Sequence, residues 1–129
     1  MVGIVIVSHS ADIAAGTVAL AAQMAGEEVR IEAAGGAPDG GLGTDGARVE
    51  AAIAAAEQGD GVVILGDLGS AILTARHVLD ERVNGNGSVR LVDAPLVEGA
   101  IAAAVVASAG MALDDVASAA EEARAVPKF

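Results

Sequence analysis

The sequence predicts an α/β fold: a three-layer sandwich with a mainly parallel four-stranded sheet and helices on both faces. Three observations carry this expectation. Short apolar, β-branched runs alternate with longer helical stretches, the pattern that right-handed crossovers turn into a parallel sheet. The runs at 3–7 (GIVIV) and 62–65 (VVIL) are apolar without alternation, as strands buried on both faces are. A length of 129 residues with 53% hydrophobic content is enough for one core and short for two, so a single domain over 1–129 is expected.

The first strand, 3–7, ends at Ser8, His9 and Ser10. A helix over 12–25 follows, with Ile13, Val18, Leu20 and Met24 as its larger apolar residues, Ser10 or Asp12 as its cap and Gly26 as its stop. Residues 29–33 form a second, more polar strand suited to a sheet edge, which runs into a loop at 34–43 with five glycines and Pro38 that is expected to move freely. Thr44 or Asp45 caps a helix over 46–58 with Val49 and Ile53 on one face, and Gly59, Asp60 and Gly61 end it. The third strand, 62–65, turns through Gly66, Asp67, Leu68, Gly69 and Ser70 into a helix over 71–82. A turn at 83–88, a fourth strand at 89–92, a break at Asp93, Ala94 and Pro95, and helices over 96–109 and 113–125 complete the chain.

Composition removes several classes of function. Seven Lys and Arg against 18 Asp and Glu give a formal charge of −11, which repels phosphate backbones and anionic lipid, so neither nucleic acid nor membrane is an expected partner. Phe129 is the only aromatic residue, so stacking platforms for bases or sugars are absent and Ala, Val, Ile and Leu must fill the core. The lack of cysteine excludes disulfides and thiolate chemistry. No basic-flanked signal segment and no apolar run near the roughly 20 residues of a membrane span is present, and a cytoplasmic location is expected.

In a parallel sheet, active sites gather at the carboxyl ends of the strands, near the point where strand order reverses. Those ends carry His9, the 35–45 segment, Asp67 to Ser70, and Asp93 to Pro95. Of the two histidines, His77 lies mid-helix and reads as a surface side chain, whereas His9 follows a buried strand. A turn histidine bonded to a carbonyl would look the same, but Asp67 follows the third strand. With these strands adjacent, its carboxylate can accept one imidazole proton, fix the tautomer and leave the other nitrogen nucleophilic. Asp67 also suits a helix cap, and the two roles can coexist.

A phosphoryl group in transfer needs donors aimed at its distributed charge more than it needs covalent machinery. Ser10 and the start of the first helix can supply them beside His9, as can Gly43, Thr44, Gly69 and Ser70 at later helix starts. No G-x-x-x-x-G-K-[ST], G-x-S-x-G or H-E-x-x-H pattern competes, no G-x-G-x-x-G follows the first strand, and the only lysine is Lys128. His9, Asp67 and Asp93 are a weak set for a metal, and none is expected.

The motifs V-S-H-S at 7–10, G-T-D-G at 43–46, D-L-G-S-A at 67–71 and P-L-V-E-G-A at 95–100 together resemble the phosphotransferase subunit of phosphoenolpyruvate-dependent dihydroxyacetone kinase. The resemblance covers the whole chain in order. It implies the fold of mannose-type phosphotransferase IIA domains, with strand order 2-1-3-4, and a homodimer whose His9 takes a phosphoryl group from the phosphocarrier HPr. The recipient it implies is ADP held on a nucleotide-binding subunit; the ATP so formed phosphorylates dihydroxyacetone bound to a third subunit. This chain would itself bind neither. By the same carry-over Asp67 orients the imidazole, and Thr44, Gly69 and Ser70 line the phosphoryl pocket. The rival expectations are a mannose-type IIA domain serving sugar uptake and a non-catalytic regulatory module of the same fold.

Overall fold

The run GIVIVS at Gly3–Ser8 forms β1 and is buried along its whole length, because a strand lies on each side of it and helices cover both faces. A computed structural model describes residues 1–82 and 88–129; most of the expected turn at 83–88 lies outside the described residues. After β1 come α1 (Ala11–Ala25), β2 (Ile31–Gly35), α2 (Gly46–Ala56), β3 (Val62–Gly66), α3 (Gly69–Asp80), β4 (Val89–Leu91), α4 (Leu96–Ser108) and α5 (Leu113–Glu122), which ends in a short 3-10 turn at Ala123–Ala125. The four strands pair in the order β2-β1-β3-β4, all parallel, as the sequence and the resemblance predict.

Strand residues alternate between two cores. Ile4, Ile6, Val63 and Leu65 face α1, α4 and α5, where Ala14, Ala21, Ala100, Ala103, Val116 and Ala120 meet them. Val5, Val7, Val62 and Ile64 face α2 and α3, against Val49, Ile53, Ala71 and Ala75. Alanine dominates the helix side of both contacts, so the helices lie close to the sheet and no ring is needed to fill the space.

Local chemistry explains most boundaries. Ser10 caps α1, its hydroxyl accepting from the Ile13 amide, and Gly26 stops it at φ 75°. Asp45, not Thr44, caps α2, accepting from the Ala47 amide. Three features depart from expectation. The residues that α1 buries are Ala14, Thr17, Ala21 and Ala25, while Ile13, Leu20 and Met24 are 51%, 44% and 50% exposed. β2 lies two residues later than expected, because the ladder with β1 runs on to Ser8 opposite Gly35. The glycine loop after β2 does not hang free: Gly36 donates to the Ser8 carbonyl (3.2 Å), Ala37 to that of Gly41 (2.9 Å), and Gly43 to that of His9 (2.9 Å).

Strand order reverses between β1 and β3. The chain leaves β1 toward β2 and leaves β3 toward β4, so the turns after these two central strands diverge and open a crevice between them. The register of Val7 opposite Gly66 brings the ends of both strands level there.

Candidate functional site

Ser8 is the last residue of β1 and fully buried; His9 and Ser10 follow it in the turn to α1. Asp67 follows β3 at the same level, and its amide donates to the Val7 carbonyl (3.1 Å). Its carboxylate then gathers the site. Oδ1 accepts from His9 Nδ1 (3.0 Å) and the Leu68 amide (2.7 Å); Oδ2 accepts from the Ser8 hydroxyl (2.7 Å) and the His9 amide (3.1 Å). Partial burial works to raise the Asp67 pKa, but the Ser8 hydroxyl, the His9 ring and the His9 and Leu68 amides together hold it below the ordinary 3.8. The group is a carboxylate at neutral pH with every strong acceptor direction in use.

An acceptor on Nδ1 fixes the neutral imidazole as the Nδ1–H tautomer, which leaves the lone pair on Nε2. That atom meets the Ser70 hydroxyl, in the first turn of α3, which donates to it. The His9 side chain is 25% exposed, so Nε2 can be reached from solvent while Nδ1 stays held against the carboxylate.

The residues expected at the site divide by placement. His9, Asp67 and Ser70 are in direct contact. Gly69 opens α3, whose first-turn amides have no side-chain cap and so remain donors toward the crevice. Ser10 spends its amide on Ser8 Oγ (3.0 Å) and its hydroxyl lone pair on the α1 cap. Thr44 is bonded to Thr74 of α3 (2.7 Å), and the neighbouring Gly43 amide is taken by the His9 carbonyl. Asp93 pairs with Arg124, and among the described residues no group of three or more His, Cys, Asp or Glu is placed to hold a metal. His77 is exposed and faces Glu81 one turn on.

Sequence reading missed two residues. Ser8 both donates to Asp67 and accepts from Ser10, and a hydroxyl ending a fully apolar strand is the signal that could have found it, since a buried polar group needs a partner. Thr74 has no such signal; only the fold brings it to Thr44.

Beside Asp67, a cleft of about 770 Å³ opens between α3 and the end of β4, lined by Gly69, Ile72, Arg76 and Asp93 among others. Among the described residues, no helix is long and apolar enough to cross a membrane.

A family model described as EIIA-man, the PTS system fructose IIA component, matches residues 3–117. The chain belongs to the EIIA-man family. Within it, the chain is 46% identical over 121 residues to a protein of Pantoea ananatis (strain LMG 20103) named PEP-dependent dihydroxyacetone kinase, phosphoryl donor subunit DhaM, a match covering 90% of this chain and 25% of that one. Identity is 41% over 108 residues to the DhaM of dihydroxyacetone kinase 2 of Listeria innocua serovar 6a, covering 81% of this chain and 85% of that one. The DhaM of Escherichia coli (strain K12) is 40% identical over 120 residues, covering 90% and 25%. The chain thus spans about a quarter of the length of the Pantoea and Escherichia relatives. A solved structure described as unknown function protein EF1359 superposes with a TM-score of 0.83 at 34% identity, covering 95% of both chains. The resemblance carried by the four motifs is borne out by these EIIA-man relatives, and with it the α/β fold.

Proposed function

We propose that this chain is a phosphohistidine relay subunit of a phosphoenolpyruvate-dependent dihydroxyacetone kinase. It accepts a phosphoryl group from HPr on His9 Nε2 and passes it to ADP held on a nucleotide-binding partner subunit. The observation that carries the reading is the His9–Asp67 pair: a carboxylate with four donors fixes Nδ1–H, and Nε2 is left as an accessible nucleophile. DhaM names among the relatives support the kinase assignment, and Ser70 and the uncapped start of α3 support a phosphoryl group at that nitrogen. In transfer, the Nε2 lone pair attacks phosphorus as the bond to the donor's imidazole breaks. The ring becomes an imidazolium whose Nδ1–H stays on Asp67, and the Ser70 hydroxyl, freed from Nε2, turns to donate to a phosphoryl oxygen.

No cofactor is assigned to this chain in that scheme; ADP and ATP stay on the partner, and dihydroxyacetone on a third subunit. The subunit works as a homodimer in the cytoplasm, where HPr is available. Incubation with phosphoenolpyruvate, enzyme I and HPr is expected to add one acid-labile phosphoryl group, absent in His9→Ala, as read by intact mass. An unmodified wild-type mass under conditions that charge HPr would overturn the reading. Adding the two partner subunits should then yield dihydroxyacetone phosphate; transfer to a IIB domain instead would assign the chain to sugar uptake.

A further inference from the structure

Six of the seven Lys and Arg side chains are engaged. Arg48, Arg82, Arg90, Arg124 and Lys128 pair with carboxylates, and Arg30 donates to the Ala55 carbonyl. Among the described residues, Arg76 alone has neither an ion pair nor a hydrogen bond. In a chain with a formal charge of −11 this needs a reason, the more so because Asp80 lies one helical turn on, at the spacing that pairs side chains on a helix. Arg76 lines the cleft beside Asp67, where Asp93 is already neutralised by Arg124 and Asp67 by its four donors. Helical side chains lean toward the helix amino terminus. For Arg76 that direction is toward Gly69 and Ser70, where the Ser70 hydroxyl meets His9 Nε2.

The imidazolium formed on transfer supplies one positive charge at His9, and no side-chain cation bonded there at rest supplies another. A phosphoryl group on Nε2 brings about two negative charges close to the Asp67 carboxylate, and the neutral donors there are a hydroxyl and backbone amides. We propose that Arg76 is the clamp for the phosphoryl group in transit: its guanidinium swings over the cleft to bind a phosphoryl oxygen as the group arrives on or leaves His9. The proposal rests on the reading of His9 as phosphoryl acceptor. A planar, permanently charged fork that is unengaged at rest can offer two N–H donors to phosphate without first breaking an ion pair.

Two phosphoryl sources separate a clamp on the group itself from a contact with the protein that delivers it. One is phosphorylated HPr. The other is phosphoramidate, which has no protein surface; there the Nε2–P bond forms as the donor's N–P bond breaks, and the zwitterion's amine leaves as ammonia with the proton it already carries. Arg76→Gln is expected to slow charging of His9 by about 10- to 100-fold from both sources, the cost of one charge-assisted hydrogen bond, with Arg76→Lys recovering part of the rate. Because Arg76 is exposed and unbonded, both variants should unfold at the wild-type temperature. Slowing with phosphorylated HPr alone would show that Arg76 meets a group on the partner and overturn the proposal, as would wild-type rates from both sources. A wild-type protein that takes up no phosphoryl group from either source removes His9 as the acceptor, and the clamp with it; that outcome is distinct from a charged wild type with an unimpaired Arg76→Gln.

Discussion

Asp67 does two jobs with one carboxylate: it ties the turn after β1 to the turn after β3, and it holds the imidazole of His9 by Nδ1. The two can be separated by measurement. Asp67→Ala should slow His9 charging by roughly 10²-fold, since a ring free to rotate presents Nε2 only part of the time; quenched-flow charging checks this, and a wild-type rate would remove Asp67 from the mechanism. The structural job shows in acid. The native pKa lies below the ordinary 3.8, so the unfolded chain takes up a proton first. The carboxylate's contribution is therefore complete above about pH 4 and is lost as pH falls through the native pKa. Urea unfolding of wild type and Asp67→Asn should show a stability gap that is constant at neutral pH and narrows below about pH 4; a gap unchanged down to about pH 2 would assign it to something other than ionisation. His9 and Asp67 were both legible in the sequence because each follows an apolar, β-branched run, and parallel topology puts such ends together. Ser8 was marked only as a hydroxyl that ends an apolar strand and so needs a partner, and that mark does not say that the partner is the carboxylate 59 positions away.

The elements hold the site to tight tolerances. Gly35, the last residue of β2, passes so close to the start of α1 that a Cβ there would lie 2.8 Å from the Ser10 carbonyl oxygen and 2.8 Å from the Ala14 Cβ. Gly35→Ala must push α1 away from the sheet, and α1 carries the turn that presents His9. Overpacking of this kind costs about 1–3 kcal/mol, and charging should fall with it. Ser10→Ala, by contrast, removes a cap from the same helix without moving it, and is expected to cost about 1 kcal/mol in denaturant unfolding with little change in charging. Equal loss of charging in both variants would mean that Ser10 acts at the phosphoryl group directly. Strand and helix order were readable from the alternation of apolar runs and breakers. The inward face of α1 was not: in an alanine-rich helix the small residues pack against the sheet, and the bulkier Ile13, Leu20 and Met24 mark the other side. The glycine loop misled in the same way, because composition gives the freedom of a segment in isolation and not the carbonyls of Ser8 and His9 that pin it.

At the scale of the whole molecule, charge and exposed apolar surface point to where a second copy would dock. A chain with a formal charge of −11 repels its own copies unless they meet through a face without charge. Residues 13–26 and 99–113, which make up most of α1 and α4, contain no charged residue at all, and the two helices pack side by side over the same core. On them Ile13, Leu20, Met24, Val97 and Val105 are each 41% exposed or more. Scattered exposed apolar residues are ordinary, but five on two adjacent helices whose only charges are Asp12 and Glu98 in their first turns form the kind of patch that a two-fold interface covers, leaving the His9 crevice at the strand ends open to a donor. Sedimentation equilibrium at about 10 μM should therefore give twice the mass of one chain, falling toward one on dilution. Leu20→Glu combined with Met24→Glu places four new carboxylates across such a two-fold and should yield a monomer with unchanged helical circular dichroism that still takes up phosphate on His9. A wild type that sediments as a monomer rejects the homodimer outright, and a double variant that remains dimeric moves the interface away from α1.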